Sequence, residues 1–171
     1  MLSLMSALLQ ITAGILIANL LEWIIHKHLL HGLGRRKGSR WSSHWSVHHR
    51  KSRQNEHFDE DYLSVFEGGM GEGRQEILGL LLLATLQIPT FLVFPWYAGT
   101  TILMAAAYFL VHRKSHLDIE WAKKWVPWHY DHHMGVNQDA NWGITLPIWD
   151  YILRTRETGP SRDAGSQITR Y

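Results

Sequence analysis

The chain contains no cysteine, which excludes disulfide frameworks, thiolate zinc sites, iron–sulfur clusters and cysteine nucleophiles together. It lacks an excess of charge as well: 17 Lys and Arg against 15 Asp and Glu leave +2, too balanced to point to a nucleic acid. The glycine run from Glu67 to Gly73 has no Lys-Ser/Thr ending, so it is a flexible lead rather than a phosphate loop. No internal repeat of solenoid period is present. A chain of 171 residues suits one domain and leaves no room for a haem, flavin or nicotinamide fold beside it. Present instead are twelve histidines and nine tryptophans, a pairing that suits a metal site beside a membrane interface.

The apolar residues are bunched. The first run, Leu2 to Ile25 with Glu22 inside it, would span about 36 Å as a helix, enough to cross a bilayer with some tilt. No Lys or Arg precedes it, which argues against a cleaved signal. The second run is Ile77 to Phe94, broken only by Gln87 and Pro89, and the segment Pro95 to Gly99 reads as a turn with interfacial aromatics. The third, Thr100 to Val111, meets His112. All basic residues fall between Lys27 and Arg74 or between Arg113 and Arg170. With three crossings both segments lie on one side, which the positive-inside bias makes cytoplasmic. The chain is thus expected to be all-α: an integral membrane bundle of three predicted spans with a cytosolic histidine-rich helical cap over residues 1–157, followed by a polar, disordered tail over 158–171. Trp121, Trp125 and Trp128, at spacings of four and three, suggest an interfacial helix, pressed into lipid or packed on protein.

Ten histidines form four groups: His26 and His31; His44, His48 and His49; His112 and His116; His129, His132 and His133. On an α-helix residues three or four apart share a face. His112 and His116 can therefore point at one ion, as can His129, His132 and His133. His44 and His48 are likewise four apart, with His49 turned about 100° further toward a neighbouring ion. His26 and His31 are five apart and converge only on a distorted turn or a helix end. Imidazoles bind iron, zinc or copper, and ten of them suit two ions at four to six ligands each. Lone histidines are more often surface or satisfied core residues, and His28 and His57 are read so. Glu22, Asp131 and Asn141 are candidate partners that orient imidazoles; each could equally be a solvated or helix-pairing group or, for Asn141, a turn cap.

The pattern His-x4-His, His-x3-His-His, His-x3-His, His-x2-His-His, with Asn141-Trp142-Gly143 and Pro147 to Thr155 after it, resembles the fatty acid hydroxylase/sterol desaturase superfamily over roughly residues 15–156. By motif match the resemblance implies two metal ions held by His26, His31, His44, His48, His49, His112, His116, His129, His132 and His133. It also implies two irons (with zinc able to take their place in purified protein), dioxygen as co-substrate, and hydroxylation or desaturation of a fatty acyl or sterol-like lipid from the bilayer. Electrons would come from a ferredoxin or cytochrome b5-like donor docking near Arg35, Arg36 and Lys37. The sequence departs from the family in having three spans where many members have four, and three intervening residues in the second box where two are commoner. His26 to Gly32 also resembles bacterial β-carotene hydroxylases. A metal transporter or a structural zinc-capped membrane protein is the competing class. Transport would need polar ligands at mid-span, where only Gln10, Asn19 and Gln87 stand.

Overall fold

The computed structural model describes residues 3–65 and 71–158. Most of the glycine-rich lead and all but the first residue of the tail lie outside these. Among the described residues the chain is all helical, with no strand. Helix α1 (Leu4–Ile24) runs without a break into a π-helix, Ile25–Leu33. A second short π-helix, His44–His48, leads into α2 (His49–Gln54). Helix α3 (Glu72–Leu86) ends at Gln87 ahead of a 3₁₀ turn, Ile88–Leu92, that carries Pro89. Helix α4 (Pro95–Leu117) is followed by α5 (Ile119–Trp125), α6 (Pro127–Met134) and α7 (Ile148–Ile152).

Two expected features differ. Pro95 to Gly99 is the first turn of α4, because proline at a helix start gives up only an N–H that has no partner there. The chain reverses earlier, where Pro89 ends α3. The tryptophan repeat lies on two helices, since Val126 leaves the helical region ahead of Pro127. Trp125 is exposed, whereas the Trp128 indole donates to the Ile144 carbonyl at 2.9 Å.

Helix α1 packs along α4, and α3 packs on α4 beside it. Gly14 makes the first contact possible: a Cβ there would lie 2.8 Å from Thr100 Cβ. Gln10, polar within an apolar run, accepts from the amides of Trp96 (3.2 Å) and Tyr97 (3.4 Å), serving donors that α4 leaves unpaired at its start.

The burial pattern is inverted relative to a water-soluble domain. Leucines face outward, with Leu82, Leu92 and Leu103 at 61%, 89% and 71% exposure, while the completely enclosed side chains are largely histidines. Such an exterior is at home in hydrocarbon. Two helical stretches, Leu4–Leu33 and Glu72–Leu92, are long and apolar enough to cross a membrane. Helix α4 has the length, 23 residues, but carries Trp96, Tyr97 and a basic end and is less apolar than either.

Candidate metal centre

All ten motif histidines are buried, and the structure brings them together from every part of the chain. Potential ligand atoms of His26, His31, His44 and His49 lie within 4.8 Å of one another, as do those of His48, His112, His116 and His133. His132 joins the first group, its Nε2 standing 3.2 Å from His31 Nε2 and 3.3 Å from His49 Nε2. His129 joins the second, with its Nε2 3.2 Å from that of His116. His49, His132 and His133 form a bridge between the two.

The π-helices explain this partition. Hydrogen bonding from i to i+5 widens each turn and brings residues five apart onto one face. The Ile25–Leu33 segment thereby aligns His26 with His31, the distorted turn that their spacing demands. The same effect overturns the expected pairing in the second box. The wide turn over His44–His48 pairs His44 with His49, five residues on, and sends His48 to the other cluster. The extra residue of that box is the one the π-turn absorbs. His129, His132 and His133 also do not share a single target: on α6 they divide between the two clusters.

Outer hydrogen bonds fix the rings. Nδ1–H of His26 donates to the Trp142 carbonyl (2.8 Å), that of His132 to Ala140 (2.7 Å) and that of His116 to His57 (2.8 Å). Carboxylates take three more: Asp59 meets His48 Nδ1 at 2.7 Å, Glu72 meets His44 at 3.1 Å and Glu76 meets His112 at 2.8 Å. The Gln138 amide meets His49 Nδ1 at 2.9 Å. A neutral imidazole that donates from Nδ1 has a lone pair at Nε2. The Nε2 atoms of His26 and His44 face each other at 3.2 Å, as do those of His112 and His116, which is repulsive without a shared positive charge. Two nitrogens held about 2.1 Å from one ion at right angles would lie about 3.0 Å apart. His48 Nε2 and both ring nitrogens of His133 are buried with no hydrogen-bond partner. The residues therefore fit two cations. Burial, reinforced by the neighbouring rings, holds His48, His49, His57, His129 and His133 well below the ordinary imidazole range and His132 at about 3, so they stay in the neutral form that binds metal.

The three residues expected to orient imidazoles are engaged elsewhere. Glu22 accepts from the amides of Ile144 and Thr145 and from Thr145 Oγ1. Asp131 pairs with Arg156 at 3.3 Å. Asn141, at φ 60°, accepts from Arg156 Nη1 and Glu157 N and donates to the Glu157 carbonyl, tying its segment to the chain 15 and 16 residues on. The carboxylates that do hold rings, Asp59, Glu72 and Glu76, escaped the sequence reading, as did Tyr62, whose hydroxyl donates to Glu76 at 2.7 Å. One signal was available: Glu72 and Glu76 are four apart at the foot of an apolar run, the same spacing logic applied to the histidines.

A cavity of about 370 Å³ opens between α1, α3 and α4, with His26, His44 and His112 at one end and Leu21, Leu83 and Met104 among its walls. From His112 to Thr101, both lining it, α4 rises about 17 Å.

The fatty acid hydroxylase model matches residues 11–155, most of the chain. The chain belongs to the fatty acid hydroxylase family. No curated protein and no solved structure matches it. Membership points to hydroxylase- or desaturase-type chemistry on a lipid in a family that is typically membrane-bound, and the apolar cavity ending on histidines agrees with it. The matched region also contains the Asn141-Trp142-Gly143 segment. Here Asp150 accepts from the amides of Trp142 (2.9 Å) and Gly143 (2.7 Å), which turns the Trp142 carbonyl onto His26.

Proposed function

We propose that this protein is a membrane-bound di-iron oxygenase that hydroxylates an unactivated C–H bond of a fatty acyl or sterol-like lipid. The observation that carries the reading is the convergence of Nε2 lone pairs within two adjacent histidine clusters at one end of an apolar cavity. His26, His31, His44, His49 and His132 would hold one ion, and His48, His112, His116, His129 and His133 the other. When bound, iron supplies the reductive activation of dioxygen, one oxygen atom going to carbon and the other leaving as water at a cost of two external electrons and two protons. The chain's own residues position and exclude. Leu21, Ile25, Leu80 and Met104 hold a hydrocarbon chain end-on to the histidines and keep water out. Asp59, Glu72 and Glu76 fix ring orientation. A hydrocarbon-lined cavity suits a lipid better than a hydrated cation in transit.

In the same reading α1, α3 with its 3₁₀ extension and α4 are three spans, with the histidine cap on the cytoplasmic side. Arg36 and Lys37 stand exposed beside Arg35, which is tied to Asp139 at 2.7 Å, and offer an acidic electron-donor protein a basic docking edge. Co-expression with a ferredoxin or cytochrome b5-like donor, followed by mass spectrometry of total lipids, tests the proposal. A product gaining one oxygen atom is expected. Tight metal binding with no oxygenated or desaturated lipid would reject the enzyme in favour of a structural metal protein.

A further inference from the structure

His57 belongs to none of the four motif groups and stands alone in sequence between Glu56 and Phe58. In the fold it is completely buried, and neither of its ring nitrogens has a hydrogen-bond partner. Its ligand atom lies within 4.8 Å of those of His116 and His129. The ring tilts against His116 at 4.4 Å between centroids and stands 5.3 Å from that of His133. An imidazole enclosed for packing alone would bury two polar atoms for nothing, and a phenyl ring would fill the space without that cost.

The backbone around it is equally committed. His57 has φ 84° and Glu56 φ 55°, a left-handed conformation that side-chain-bearing residues adopt rarely and chiefly where function or packing enforces it. That twist aims the His57 carbonyl at His116 Nδ1, 2.8 Å away. Two residues on, Asp59 reaches His48 at 2.7 Å. The segment 57–59 is thus a strap across the second cluster, holding two of its rings from outside while one imidazole of its own points inward.

We infer, on the reading that the two clusters hold two ions, that His57 is an eleventh imidazole ligand, serving the ion held by His48, His112, His116, His129 and His133. It gives that ion a donor with no counterpart at the first cluster, where every histidine within ligand distance comes from the four motif groups. The two ions are therefore unequal, and the second is the more fully wrapped.

His57→Gly is the informative variant. Glycine adopts the positive φ without strain, so the carbonyl to His116 and the strap survive while the ring is lost. Full-length protein in detergent, stripped by chelator, is titrated with Co²⁺, and the release of each ion to a competing chelator is followed by visible absorption. Unmodified protein takes up two ions. In His57→Gly the ion of the second cluster should leave at least tenfold faster with an altered spectrum, and the first should be unchanged. Added free imidazole should restore the slow release, and His57→Gln should behave as His57→Gly without rescue. Unchanged release and spectrum for both ions in His57→Gly would overturn the assignment, as would equal weakening of both ions in the two variants. Failure of unmodified protein to bind two ions is a distinct result and removes the di-metal reading itself.

Discussion

Asp59 and His48 are both completely enclosed, and the carboxylate takes the imidazole Nδ1 at 2.7 Å. This pairing aims His48 Nε2, which has no other partner, into the second cluster. Losing such an outer partner costs 10–100-fold in metal affinity in comparable sites. Asp59→Asn should therefore weaken one ion by about that factor and leave the other in place, as read by metal content after graded chelation.

Gly79 lines the cavity on α3, and an added Cβ there meets no atom within 4 Å. Gly79→Phe should fill the hydrocarbon channel while both ions stay bound. Replacing a helical glycine by phenylalanine also recovers up to about 0.5 kcal/mol of helix propensity. The expected pattern is unchanged or raised thermal stability, full metal content and lipid product reduced at least tenfold. Loss of metal in this variant would show that the channel and the clusters are not separable.

Gly14 tests the α1–α4 contact. A Cβ at 2.8 Å from that of Thr100 cannot be accommodated without parting the helices, and overpacking of this kind costs about 1–3 kcal/mol. Gly14→Val should lower the unfolding midpoint in detergent, and Thr100→Gly in the same chain should recover part of the loss. Additive effects in the double variant would mean that the two sites do not meet.

Glu22 braces a loop. Its carboxylate receives the amides of Ile144 and Thr145, and Glu22→Ala leaves both N–H groups unpaired at about 1–3 kcal/mol each. Hydrogen exchange should speed up over residues 142–146, and the ring of His26, held through the Trp142 carbonyl, should lose its fixed orientation. Protection unchanged across that loop would contradict the brace.

Much of this was legible in the sequence. The apolar runs gave α1, α3 and α4, because hydrophobic length is a local signal, and the ten histidines marked the candidate site, because so many imidazoles in four tight groups are a local signal too. The sorting of rings between clusters was not legible. His44, His48 and His49 follow α-helical logic on paper, and only the π-turn reverses it. His57 was invisible because its partners, His116 and His129, lie 59 and 72 positions away and no local periodicity marks it. Glu22, one turn before His26, suggested a ring partner by proximity, yet its contacts are set by a loop more than a hundred residues distant.

Helix α6 supplies both clusters, His132 to one and His129 with His133 to the other. Every partial chain leaving the ribosome without residues 129–133 thus carries two incomplete nests of nitrogen. On the two-metal reading proposed above, neither nest has its full set of rings until α6 has been made and packed. A nonsense mutation upstream of α6 would therefore strip donors from both nests together.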